Sequence, residues 1–63
     1  MDKIGEIVGF VFKHPETVAS RRICREILGR SADRFNLEMA EELTAALKQA
    51  ENTQVDSFYS LIR

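Results

Sequence analysis

The sequence predicts an all-α protein, a small bundle of three to four short helices completed by oligomerisation. Three observations predict it. Apolar residues recur at i, i+3, i+4 and i+7 in successive segments, the period of one helix face. The breaks between segments hold helix stops and starts: His14-Pro15, Gly29, Asn36 and Asn52-Thr53. The chain has only 63 residues, and a chain of that length buries about 60% of the surface its unfolded form exposes. Small proteins without disulfides or metals often complete such a marginal core with a second copy.

The first segment runs from Asp2 to Lys13. Ile4, Ile7, Val8 and Val11 form its apolar stripe, with Phe12 beside them; Gly5, Glu6, Gly9 and Lys13 lie opposite. A strand reading competes over residues 3–12, because Ile, Val and Phe are good strand formers. The segment lacks the two-residue alternation a half-buried strand would show. His14 precedes a proline and is pushed out of helical geometry. Pro15 then suits the first position of the next helix, where its missing N–H is not needed.

That second helix is expected from Pro15 to Leu28. Ala19, Ile23, Cys24, Ile27 and Leu28 fall on one side, and Arg21, Arg22, Arg25 and Glu26 on the other. Gly29 supplies its stop. Ser31 or Asn36 caps the third helix. If Asn36 caps, that helix starts at Leu37. Met39, Ala40, Leu43, Ala46, Leu47 and Ala50 make its apolar stripe, and Glu38, Glu41, Glu42, Lys48 and Gln49 its wet face. Thr53, with Asp56 three residues on, resembles a capping box that opens the last helix. Val55, Phe58, Tyr59 and Ile62 repeat there at helical spacing. So short a helix is unstable alone and must dock on its own core, a second copy or a partner. Because aromatic residues are favoured at interface centres, Val55, Phe58, Tyr59 and Ile62 are expected to form a self-association surface, a homodimer first of all.

The formal net charge of −1 conceals a segregation. Between Arg21 and Arg34, five arginines outnumber Glu26 and Asp33 to leave +3; between Glu38 and Glu51, Lys48 against four glutamates leaves −3. All five middle cations are arginines, whose planar fork matches carboxylate and phosphate oxygens. Arg21, Arg22 and Arg25 lie within about 100° of one another around a helix. Arg21, Arg22, Arg25, Arg30 and Arg34 are therefore the expected binding residues for an anionic partner, a protein or a nucleic acid. A blander account is a solvated face, neutralised by the Arg22–Glu26 pair, by glutamates of the next helix, or by the acidic helix of a neighbouring subunit.

Two helix–turn–helix placements can be drawn. A reading helix after Gly29-Arg30-Ser31 would present Asp33, Glu38, Glu41 and Glu42 to phosphates, which is repulsive. With the turn at His14-Pro15, Thr17, Ser20, Arg21, Arg22 and Arg25 would face the groove, as in a DNA-binding regulator using the Thr17–Arg25 helix. Phe12 stands where such a turn wants a glycine, and Arg21 where it wants a core residue.

No enzyme is expected. A metal site usually needs three or four ligands, which His14 and Cys24 alone cannot supply, and no glycine-rich phosphate loop is present. No cofactor or small-molecule substrate is implied. No apolar run approaches the roughly 20 residues of a membrane span, and the N-terminus lacks a secretory signal pattern. A lone Cys24 has no internal partner, which fits a reducing compartment and a cytoplasmic protein. The expected whole is one helical domain over residues 1–63, a non-enzymatic regulatory or adaptor protein acting by protein–protein contact.

Overall fold

The computed structural model describes residues 2–33 and 35–63. It contains four helices: α1 (Lys3–Lys13), α2 (Val18–Leu28), α3 (Leu37–Gln49) and α4 (Asn52–Ile62). No strand occurs among the described residues, so the first segment is helical.

Each helix end has a local cause. The Asp2 carboxylate accepts a hydrogen bond from the Ile4 N–H at 3.2 Å and opens α1. A Cβ at Gly5 would sit 3.1 Å from Asp2 Oδ2, so the capping carboxylate would have to shift by a few tenths of an ångström to admit one. An added Cβ at Gly9 would meet nothing within 4 Å, so that glycine serves no close contact. Gly29 takes the left-handed conformation (φ 68°) and its N–H bonds Arg25 O at 3.0 Å, ending α2 as its sequence position predicts. Asn36 caps α3, its side-chain oxygen accepting from Met39 N at 2.9 Å. Ser31 closes only a turn, accepting from Asp33 N at 3.1 Å.

Two expected starts are displaced. α2 begins at Val18, not Pro15, because the Thr17 hydroxyl takes the cap position and accepts from Ser20 N at 3.3 Å. Pro15 and Glu16 instead form a turn closed by the Thr17 N–H on His14 O. α4 begins one residue before Thr53, and the expected capping box does not form. Ala50 (φ −75°, ψ 159°) and Glu51 (φ −68°, ψ 148°) are both extended, so the backbone alone makes the break. Thr53 lies inside the helix, and its carbonyl accepts from Ser57 Oγ.

The helices pack out of sequence order. α1 lies against α3 and α4, and α2 lies against the same two. α1 and α2 scarcely touch each other, nor do α3 and α4 beyond their two-residue joint. The core between them is Ile7 and Val11 of α1, Ile23 and Cys24 of α2, Leu43 and Leu47 of α3, and Val55 and Phe58 of α4. Ala32, in the connection before α3, closes it. An exposed Lys3–Asp56 ion pair at 2.6 Å joins the first helix to the last; such pairs contribute under about 1 kcal/mol.

Ser20 is the buried polar group of this core, with no exposed surface. Its hydroxyl donates to His14 O at 2.7 Å, and the Thr17 hydroxyl beside it donates to the same carbonyl at 2.9 Å. That network ties the start of α2 to the end of α1 and leaves no buried side-chain polar atom unpaired among the described residues.

Candidate functional site

The last helix does not offer the surface its sequence suggests. Val55 and Phe58 are 7% and 3% exposed, and what covers them is this chain's own core. They are therefore corrected from self-association residues to core residues. Core positions from four helices and a loop supply enough apolar neighbours to absorb the aromatic load without a second chain. Tyr59 and Ile62 are half-buried at the margin. The Tyr59 ring has Lys3 Nζ at 5.7 Å and the Arg63 guanidinium at 5.8 Å from its centroid. The neighbouring Glu6 carboxylate, a hydrogen-bond acceptor for the phenol, raises it above the ordinary value, aided by desolvation and opposed by Arg63 and Lys3.

The outer face of α2 remains open. With Ile23 and Cys24 turned to the core, 100° per residue carries Val18, Arg21, Arg22 and Arg25 outward, and all four are exposed. Together with Glu26 they line one shallow depression. Val18 is 82% exposed, the most exposed large apolar residue described, and it sits among three guanidinium groups. Arg22 Nε donates to Glu26 Oε2 at 3.1 Å, the i, i+4 pair expected from the sequence. Arg21 and Arg25 have no ion-pair partner among the described residues.

Arg30 is placed differently. It lines a second shallow cleft with Arg21, Arg25, Gly29, Ser31 and Asp33, and its guanidinium is ion-paired with Glu42 of α3. Part of the expected neutralisation by the next helix is thus realised within one chain. Arg34 lies outside the described residues. So the structure brings Arg21, Arg22 and Arg25 onto one face, sets Arg30 at its edge, and pairs Arg22 and Arg30 with carboxylates. Val18 is the member of this face that an apolar-stripe reading passes over. Its signal is in the sequence: the helical wheel puts it between Arg22 and Arg25, away from every core residue of α2.

The placement of a DNA-reading helix at Thr17–Arg25 loses two of its contacts. Ser20 faces the core, and the Thr17 hydroxyl is occupied as the helix cap. Bracing by the preceding helix is weak too, because α1 and α2 scarcely touch each other.

Cys24 is buried and free, and burial pushes its thiol above the usual range. His14 is exposed and its ring lies tilted by 52° against Phe10, with ring centroids 5.2 Å apart. Among the described residues no three His, Cys, Asp or Glu side chains are grouped to hold a metal ion. No helix among the described residues is long and apolar enough to cross a membrane. No known protein family, curated protein or solved structure matches the chain.

Proposed function

We propose that the chain is a non-enzymatic adaptor or regulatory module, working by protein–protein contact through the outer face of α2, which takes an acidic protein segment. The observation that carries this is that Arg21 and Arg25, around an exposed Val18, have no ion-pair partner among the described residues. Arginine is favoured at interfaces because its planar fork binds carboxylates bidentately and its charge is weakly hydrated. An apolar side chain at the centre of the cationic face suits a partner with its own apolar residue between carboxylates. A phosphate backbone offers Val18 no apolar partner. A buried free thiol suits a reducing compartment, and on that ground we assign the protein to the cytoplasm.

The test is binding of poly-L-glutamate and of random-sequence duplex DNA, each at low and high salt. The wild type is expected to bind the acidic peptide at low salt, and Arg21→Glu/Arg22→Glu/Arg25→Glu to lose it with helicity unchanged. Unchanged binding by the triple variant rules out the arginine face as the binding surface. Binding of duplex alone replaces the acidic protein with a nucleic acid.

A further inference from the structure

The basic face of α2 has its counterpart on the same chain. Arg21, Arg22 and Arg25 are spaced by one and then three residues; Glu38, Glu41 and Glu42 of α3 are spaced by three and then one. Read in opposite directions, the two patterns coincide. Both are outward: all six side chains are exposed, while Met39, Ala40, Leu43 and Leu47 take α3 to the core. Laid antiparallel, α2 of one copy on α3 of another, Arg25 stands opposite Glu38 and Val18 opposite the small, exposed Ala45. Arg21 and Arg22 then fall within one residue, about 1.5 Å of rise, of Glu41 and Glu42 on the same side of the seam.

We infer that the acidic segment bound by the arginine face is α3 of a second copy of this chain, in an antiparallel α2–α3 contact made twice across a two-fold axis. This rests on the reading of α2 as an acid-binding face. The two-fold comes from where the rows lie. α2 and α3 pack on each other, and Arg30, which shares a cleft with Arg21 and Arg25, pairs with Glu42. The basic and acidic rows are therefore neighbours on one side of the molecule. Rotation by half a turn about an axis between them lays each row on its opposite, and the contact closes at two copies. Arg21 and Arg25 supply the unpaired cations, and Glu38 and Glu41 carboxylates with no ion-pair partner among the described residues.

Charge reversal tests this, because the four residues are exposed and lie outside the core. Sedimentation is followed up to about 1 mM protein, in about 0.01 M and about 1 M salt, where the Debye length falls from about 30 Å to about 3 Å. The wild type is expected to dimerise at low salt and to dissociate at high salt. Arg21→Glu/Arg25→Glu and Glu38→Arg/Glu41→Arg are each expected to be monomeric, with helicity retained. Mixing the two variants is expected to restore a dimer, since both contacts of the mixed pair then join opposite charges. A wild type that stays monomeric at low salt overturns the inference, as does a dimer that survives in either variant or a mixture that stays monomeric. If the wild type is monomeric yet binds poly-L-glutamate through Arg21 and Arg25, the acid-binding reading stands and only the second copy is lost.

Discussion

α4 and α2 are both 11-residue helices, and from sequence both invite an interface. One carries aromatic residues and the other arginines. Folding treats them oppositely. Phe58 and Val55 of α4 are drawn into the core of the same chain, while Arg21, Arg22 and Arg25 of α2 stay in water. In a chain this small the core is short of apolar surface, so an apolar helix face is used first at home. Charged groups cannot be used that way, because burying an unpaired guanidinium costs several kcal/mol. What is left on the outside is what the core could not absorb.

The sharpest way to break this contrast is Phe58→Ala. Truncating a buried Phe costs about 3–5 kcal/mol, comparable to the whole stability of a chain this size at roughly 0.05–0.15 kcal/mol per residue. The expected outcome is loss of the cooperative urea transition in circular dichroism. A folded variant that merely changed its oligomeric state would return α4 to the surface. A smaller effect is expected at the inner side of α2. Ser20→Ala removes one of two hydroxyls on His14 O, and about 1 kcal/mol of stability, read as a lowered urea midpoint. No change there would mean that Thr17 alone secures the end of the turn.

Tyr59 probes the margin of α4 by pH. Its folded value lies above the ordinary 10.0, so the native state favours the protonated phenol. The stability this gives is fully present below pH 10.0 and is lost as pH rises through the folded value. The urea midpoint should fall over that range in the wild type and fall less in Tyr59→Phe. Equal falls would show that Glu6 does not act on the phenol. The smallest effect on stability belongs to the arginine face. Arg21→Ala and Arg25→Ala should each stay within about 0.5 kcal/mol of the wild type. A larger loss in either would make that arginine part of the fold.

Much of this fold is legible in the residues, for a local reason. Asn36 and Gly29 announce helix ends through hydrogen bonds and backbone angles they make themselves. The stripes of α1 and α3 name their own core residues. Competition between two adequate signals is harder to read: Pro15 and Thr17 both suit a helix start, and the hydroxyl that can cap decides it. Ser20 lies on the core side of α2, three and four residues before Ile23 and Cys24, but its hydroxyl disguises it; Ala32 is outside every helix, so no periodicity marks it as core. The destination of α4 is open in the sequence for another reason. Its stripe shows that it must dock, and only the positions of the other helices show where. The arginine face is visible as charge; its centre, Val18, shows only once Ile23 and Cys24 fix which way α2 is turned.

The out-of-order packing has a consequence in time. Neighbouring helices normally pair as soon as both exist. Here α1 has no partner until α3 is synthesised, and its second partner, α4, begins at Asn52. Closing so wide a span must precede the contacts that reward it, which slows folding relative to local helical hairpins. A nascent chain halted after α2 would hold two helices with exposed stripes and nothing to lay them on. Folding therefore waits for the second half of the chain, and the apolar faces of α1 and α2 are most open to chaperones or aggregation in that interval.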